Sequence, residues 1–299
     1  MRLMFDEIRK NKIKSWILIF IFIVIIANLG AAIGFIYGSM ILGIIFSIIL
    51  SLFYLFFSYF SGDKAILRTA GAREVTKKEY PHLFHLIDGL SVSAGLPKPK
   101  AYVIEDSALN AFATGRNPEH ASITVTTGLL KKMNRQELEG VVAHEMSHIK
   151  NYDVRFMMLV VMLAGVITLL SDFMLRSFFY SGKGGNSDSK KGKAFGVLIL
   201  VAFVLAVLSP IIGELIRLSI SRKREFLADA NAAILTRYPP GLAGALRKIE
   251  KDPDPLVDKA NKATAHLFIS TPFRKKHGIS RLFLTHPPIE ERIKRLEEM

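Results

Sequence analysis

The sequence contains no cysteine, which excludes disulfide bonds and thiolate metal ligands. Any metal ion must therefore be held by histidine and carboxylate side chains. The absence also fits a reducing compartment around the soluble parts of the chain. Charge is missing as well, because no acidic or basic residue occurs from Ser15 to Gly62. A soluble domain would not expose such a stretch, so these positions indicate membrane spans.

The uncharged stretch has the length of two helices of about 20 residues each, which is what crossing a bilayer requires. Gly38 and Ser39 provide a tight turn between them. Trp16 and Tyr59 lie near span ends, where interfacial aromatic residues are favoured. A cleaved signal peptide is excluded, because the apolar region is too long and no compact apolar core leads to a cleavage site. We therefore expect a transmembrane hairpin over residues 1–62.

A second pair of apolar blocks follows, from Phe156 to Ser171 and from Ala194 to Gly213. The polar segment SGKGGNSDSKKGK, residues 181–193, lies between them and has the composition of a flexible loop. We expect a second hydrophobic hairpin over residues 156–220. The chain would then carry four hydrophobic helices in two hairpins.

The formal net charge is +14, and the basic residues flank the apolar blocks. No nucleic-acid-binding module is evident, so we expect an anionic membrane surface as partner and no nucleic acid. Basic residues before Ser15, after Gly62 and after Ile220 place these regions on one side, which the positive-inside rule makes cytoplasmic. The loop 181–193 holds four lysines and would lie outside. A second hairpin that is only partly inserted therefore stays open as an alternative.

The remainder forms two soluble pieces, residues 63–155 and 221–299. In the first piece, apolar residues at helical spacing predict a helix from Tyr80 to Ala94. The segments KAYVIE, ALNAFATG and ITVTTG then read as short strands separated by turns. This piece should therefore combine helices with a small β-sheet.

Capping signals place the helices that follow. Asn134 and Glu137 form a capping box that predicts the start of the next helix. The second piece is mostly helical and ends in a helix opened by Pro287 and Pro288. The residues that we expect this last helix to bury are Ile289, Ile293 and Leu296.

The segment VVAHEMSHIK, residues 141–150, contains two histidines four positions apart. On a helix, His144 and His148 project from one face, and zinc binds such a pair through imidazole nitrogens. Glu145 flanks the metal without binding it in this motif, and it can take a proton from an activated water. Chance occurrence is the alternative, and the predicted helix argues against it.

A catalytic zinc ion needs a third protein ligand and an open position for water. The segment SRKREFLADANAA, residues 221–233, offers Glu225 and Asp229, again four apart on a predicted helix. One carboxylate can be the third ligand, and the other can accept the free N–H of a ligand histidine. The alternative is a solvated helix face, because three basic residues precede Glu225. The presence of HEMSH elsewhere in the chain disfavours that alternative.

Four motifs together resemble the HtpX-type membrane zinc metallopeptidases, relatives of the prenyl-protein endopeptidases that cut C-a-a-X proteins. They are HEMSH, REFLAD, DSALNAFATG at 106–115 and THPP at 285–288. The resemblance covers nearly the whole chain. It implies one gluzincin-type zinc site on the cytoplasmic face, with His144, His148 and Glu225 as ligands and Glu145 as general base. Asp229 would then orient a ligand histidine.

Two further residues are candidates for contacts with substrate. Asn110 lies in ALNAFATG, a predicted edge strand, where its amide could bond the backbone of an added substrate strand. The alternative is an asparagine that simply ends a strand. His286, in THPP, could steady the oxyanion formed when water attacks the carbonyl. Its alternative is a capping or packing histidine.

We therefore expect an α+β membrane protein with a mainly helical, gluzincin-type catalytic domain, split between residues 63–155 and 221–299. As the resemblance implies, it would be a multi-pass enzyme of the cell membrane that cleaves misfolded or damaged membrane proteins, or other unfolded polypeptides, under stress. A processing peptidase for lipidated substrates and a non-catalytic zinc-binding scaffold stay as alternatives. The processing peptidase would need a large chamber within the membrane, and four short segments are few to build one. The non-catalytic scaffold would not need Glu145.

Overall fold

The structure is a computed structural model that describes residues 2–36, 38–166, 222–252, 268–269 and 287–299. The chain divides into two compact units. The first combines Met1–Lys12, Ser61–Met158 and Arg217–Met299, and the second combines Ile13–Phe60 and Leu159–Ile216. The domain boundaries expected from the sequence stay a prediction.

Two long helices begin the chain, α1 (Arg2–Ile36) and α2 (Met40–Thr69). Gly38 lies between them with a φ of 94°, a left-handed conformation that glycine adopts without steric cost. Among the described residues, the stretches Ile8–Phe35 and Met40–Thr69 are long and apolar enough to cross a bilayer. The two N-terminal apolar helices predicted from the sequence are therefore confirmed.

Small residues bring α1 and α2 together in the second unit. A Cβ atom on Gly30 would lie 2.5 Å from the carbonyl oxygen of Gly43, and one on Gly34 would lie 2.8 Å from the Gly43 Cα. Close backbone approach of this kind is common between membrane helices. Phe20 and Phe46 are exposed on the two helices, as lipid-facing side chains would be. These features suggest membrane insertion.

The first unit contains a four-stranded sheet in the order β1-β2-β4-β3. Its strands are β1 (Ala72–Glu74), β2 (Lys100–Ile104), β3 (Ala111–Gly115) and β4 (Ala121–Thr126). The β2–β4 pair is parallel, and the other pairs are antiparallel. The three predicted strands are present, although β3 begins only at Ala111. Strand β1 was not predicted, because it is too short to show a periodic pattern.

The described residues form further helices after α1 and α2. They are α3 (Pro81–Ala94), α4 (Thr127–Lys132), α5 (Arg135–Lys150), α6 (153–166), α7 (Arg222–Thr236), α8 (Pro239–Lys251) and α9 (Ile289–Glu297). The capping box of Asn134 and Glu137 opens α5 as predicted, with both reciprocal hydrogen bonds present. In the second unit, the Tyr54 hydroxyl donates to the Met162 carbonyl at 2.8 Å and joins α2 to α6.

The second hairpin can be followed only in part. Residues 167–221 lie outside the described residues, and with them lie the rest of the second apolar pair and the lysine-containing loop 181–193. The four-helix arrangement and the partly inserted alternative therefore stay predictions.

Helix α5 is central to the core of the first unit. Val141, Val142 and Met146 are fully buried on it, and α5 packs against α3, α7 and α8 as well as the sheet. Gly140 permits a close approach to α8, because a Cβ atom there would lie 2.6 Å from the backbone nitrogen of Leu242. The position of the α5 histidines therefore depends on tight helix packing.

We predict that Gly140→Ala destabilises the protein by about 1–3 kcal/mol, because the added methyl group overpacks the α5–α8 contact. Gly89→Ala on α3 is the matched control, since a Cβ atom there would meet nothing within 4 Å. Alanine should raise stability at that position by about 0.8–1.0 kcal/mol through helix propensity. Thermal unfolding of the detergent-purified chain at fixed zinc concentration measures both. Equal melting temperatures for the two variants would contradict the packing account.

Candidate metal centre

His144 and His148 on α5 face Glu225 on α7 in the interior of the first unit. The Nε2 atoms of the two histidines lie 3.2 Å apart. The Glu225 carboxylate approaches both, with Oε2 3.8 Å from Nε2 of His144 and Oε1 3.5 Å from Nε2 of His148. All three residues are buried. The structure thus brings together the three residues that the sequence proposed as zinc ligands.

These separations fit a tetrahedral metal ion. Zinc bonds of about 2.0–2.2 Å to nitrogen and oxygen hold the ligand atoms roughly 3.3–3.5 Å apart. The three observed distances fall close to that range, and two imidazoles with one carboxylate are a donor set that zinc favours. The residues present therefore fit one zinc ion.

A carboxylate contacts the Nδ1 atom of each histidine and orients the ring. Nδ1 of His144 lies 2.9 Å from Asp229 Oδ1, and Nδ1 of His148 lies 3.0 Å from Asp153 Oδ2. Hydrogen bonds from Nδ1–H to these oxygens fix the tautomer and turn both Nε2 atoms towards Glu225. The sequence indicated Asp229 in such a position, but it did not indicate Asp153.

Asp153 reaches His148 because the chain turns sharply between the two residues. Helix α5 ends at Lys150, and Tyr152 has a φ of 60°, a left-handed conformation that ends regular helix. Helix α6 then starts at residue 153. An aspartate five positions after a histidine would not share its face on a continuous helix, so sequence spacing gave no signal for it.

Arg292 on α9 is a second residue that the sequence analysis missed. Its guanidinium donates from Nε and Nη2 to the two carboxylate oxygens of Asp229, at 2.8 and 2.6 Å. Its Nη1 lies 3.6 Å from Glu225 Oε2, and the side chain is fully buried. A signal was available, because Arg292 falls within the stripe of Ile289, Ile293 and Leu296. A buried arginine in an apolar stripe calls for an anionic partner.

Glu145 lies beside the three candidate ligands and lines the same cavity. That cavity is lined by Ala113, His144, Glu145, His148, Val154, Met157, Glu225 and Ile269. Burial raises the pKa of Glu145 to about 7, although the charge of His148 and a hydrogen bond from the Ala113 backbone counteract it. A carboxylate with a pKa near neutrality is well suited to accept and return a proton.

The same low-dielectric surroundings shift the pKa values of the neighbouring groups. Burial lowers the pKa of His144. Burial also lowers that of His148, but the hydrogen bond with Asp153 and the charge of Glu225 outweigh it and raise the pKa to about 9. Burial alone would raise the pKa of Asp229. The charge of Arg292 and the hydrogen bond from His144 outweigh burial and lower the pKa below its usual value, so the carboxylate stays ionised.

The outer edge of β3, the strand at one end of the sheet order, borders this cavity. The Ala113 N–H points to Glu145, and the Ala111 carbonyl accepts a hydrogen bond from Ile269 N–H at 2.9 Å. Both groups belong to the outer edge of β3. Asn110 directly precedes this strand and is buried, but it is not among the residues that line the cavity. His286 lies outside the described residues, so its placement stays a prediction.

Comparison with known proteins relates the chain to a peptidase family. A sequence model of peptidase family M48 matches residues 77–299 of the chain. A protein named Protease HtpX homolog in Dictyoglomus thermophilum is 44% identical over 295 residues, which cover 99% of this chain and 94% of the relative. The protein of the same name in Streptococcus gordonii is 42% identical over 299 residues, covering 99% and 100%.

The fold also resembles a solved structure. The crystal structure of S. mikatae Ste24p superposes with a TM-score of 0.50 at 19% sequence identity. The match covers 98% of this chain and 67% of that one. At this identity the likeness concerns the fold alone.

The buried pair of Arg292 and Asp229 generates a prediction about stability. Arg292→Met should cost about 3–5 kcal/mol, because it leaves a carboxylate buried without its partner. Lys294→Met on the same helix is the control and should cost less than about 1 kcal/mol, since that side chain is exposed. Chemical unfolding measures both.

A second substitution separates charge from packing. Asp229→Asn added to Arg292→Met removes the uncompensated charge and still leaves an oxygen to accept from His144. It should recover part of the lost stability. A double variant less stable than Arg292→Met alone would contradict the charge-pairing account.

Proposed function

Because the chain belongs to peptidase family M48 and is a metallopeptidase, we propose that it is a zinc-dependent endopeptidase of the cell membrane that cleaves damaged or misfolded membrane proteins. The observation that carries this proposal is the meeting of His144, His148 and Glu225 beside Glu145. Two apolar helices at the N-terminus support membrane attachment.

His144, His148 and Glu225 would hold the zinc ion, which when bound supplies a Lewis acid that polarises the scissile carbonyl and acidifies water. Asp229 and Asp153 keep the two imidazoles in the tautomer that presents Nε2. Arg292 balances the charge of Asp229 and lies near Glu225. The side chains that would bind zinc are thus oriented before the substrate binds.

Glu145 acts as the general base and then as the general acid. It accepts a proton from the attacking water and returns it to the nitrogen of the leaving amine, so no covalent acyl intermediate is needed. Its pKa near 7 suits both transfers. This arrangement argues against a non-catalytic zinc scaffold, which would have no use for a buried carboxylate beside the ligands.

The outer edge of β3 would take the substrate backbone in place of Ile269, whose N–H donates to the Ala111 carbonyl. An extended peptide can add to a free strand edge through main-chain hydrogen bonds. The groups on that edge at Ala111 and Ala113 lie next to the cavity that contains Glu145. Asn110 would assist at the start of this strand, and His286 would steady the oxyanion. Ala113, Val154, Met157 and Ile269 form the apolar part of the cavity lining.

We predict that Glu145→Gln lowers the rate of peptide cleavage by about two to four orders of magnitude, because a general base is lost. Zinc content should be unchanged, since Glu145 is not a proposed ligand. Glu225→Ala is the comparison and should lose most bound zinc. Metal analysis and cleavage of an unfolded membrane protein in detergent measure both properties. A zinc-loaded Glu145→Gln variant that cleaves at the wild-type rate would overturn the mechanism.

The proposed topology places both ends of the chain and the catalytic residues in the cytoplasm. Because the chain lacks cysteine, single cysteines at Ser39 and Met299 can be probed with an impermeant thiol reagent. In intact cells, Ser39→Cys in the turn between α1 and α2 should react, whereas Met299→Cys should react only after lysis. Labelling of Met299→Cys in intact cells would reverse the proposed orientation.

A further inference from the structure

A buried asparagine on the first helix contacts the group that orients His148. Asn11 on α1 is fully buried, and its Nδ2 donates to Asp153 Oδ1 at 2.7 Å. The other oxygen of the same carboxylate, Oδ2, lies 3.0 Å from His148 Nδ1. A continuous chain of hydrogen bonds therefore joins the N-terminal helix to a proposed zinc ligand.

Asn11 also holds the turn that places Asp153. Its Nδ2 donates to the carbonyl of Asn151 at 3.0 Å, and Asn151 is the residue that caps α5. A single amide group thus contacts both the end of the α5 helix and the first residue of α6. Loss of this group would free the turn as well as the carboxylate.

A second donor contacts the carboxylate, and distances decide which contact is tighter. Arg224 Nη1 lies 3.2 Å from Asp153 Oδ1 and 3.5 Å from Asn11 Oδ1. The Asn11 contact with the same oxygen is 0.5 Å shorter, from 3.2 and 2.7 Å. Arg224 supplies charge that compensates Asp153, whereas Asn11 supplies the short, directional bond that fixes the carboxylate plane.

We propose that Asn11 is a positioning residue of the zinc site and acts on His148 through Asp153. The inference rests on the proposed zinc site, although not on catalytic activity. It makes the N-terminal helix part of the metal centre. The same helix continues from Asn11 into the apolar stretch that we propose enters the membrane. A chain without its first helix would therefore lose zinc affinity as well as an anchor.

The test measures zinc affinity of the full-length protein in detergent by competition with a chelator. Substitutions behind a metal ligand typically weaken metal binding by about 10- to 100-fold. Asp153→Ala should fall in that range, and Asn11→Ala should lie near its lower end. Arg9→Ala, an exposed position on the same helix, is the control and should match wild type.

The double variant tests whether Asn11 acts through Asp153. Asn11→Ala added to Asp153→Ala should cause no further loss, because the intermediate group is already gone. A spectroscopic measure accompanies it: the visible absorption of the cobalt-substituted protein should change in Asn11→Ala and not in Arg9→Ala. A purely structural Asn11 would lower the melting temperature while leaving zinc affinity and the cobalt spectrum unchanged.

Further variants keep the outcomes distinguishable. Asn11→Ser retains a donor in a smaller volume and should bind zinc with an affinity between those of wild type and Asn11→Ala. If wild type binds zinc and folded Asn11→Ala binds it equally well, the positioning role is wrong and the zinc site stands. The role is also wrong if the double variant is weaker than Asp153→Ala by the full Asn11→Ala factor. If wild type itself binds no zinc, the proposed function fails first.

Discussion

The need to keep four carboxylates buried together governs the first unit. Glu145, Asp153, Glu225 and Asp229 are all almost inaccessible to solvent. Burial of uncompensated negative charge costs several kcal/mol per group, so each must find a proton, a cation or a hydrogen-bond donor. Arg292 compensates the charge of Asp229, and Arg224 compensates the charge of Asp153. The histidines and the proposed zinc ion would compensate the charges of Glu145 and Glu225.

This constraint explains why distant segments of the chain converge on one place. Helix α9 brings Arg292 to Asp229, and helix α1 brings Asn11 to Asp153. Each contact is made to the carboxylate that lies against Nδ1 of a proposed ligand histidine. The proposed metal ion would therefore be supported from both ends of the sequence, and rigid support of this kind favours precise catalytic geometry. The fold and the proposed chemistry depend on the same buried charges.

Sequence periodicity was sufficient to predict which site residues share a helix face. His144 with His148 and Glu225 with Asp229 are each four apart, so their common direction follows from helix geometry. It was not sufficient where direction depends on irregular backbone or on tertiary contact. Asp153 is placed by the left-handed conformation of Tyr152, and Asn11 reaches the site from more than a hundred residues away. Strand β1 is only three residues long, which leaves no period to detect.

Anomalous diffraction at the zinc absorption edge, on crystals of the full-length protein, tests the central claim most directly. The account predicts one peak per chain, about 2.0–2.2 Å from Nε2 of His144, Nε2 of His148 and a carboxylate oxygen of Glu225. It also predicts that both Nδ1 atoms remain bonded to Asp229 and Asp153. A peak at another set of residues, or bonds through Nδ1, would contradict the arrangement on which the proposed mechanism rests.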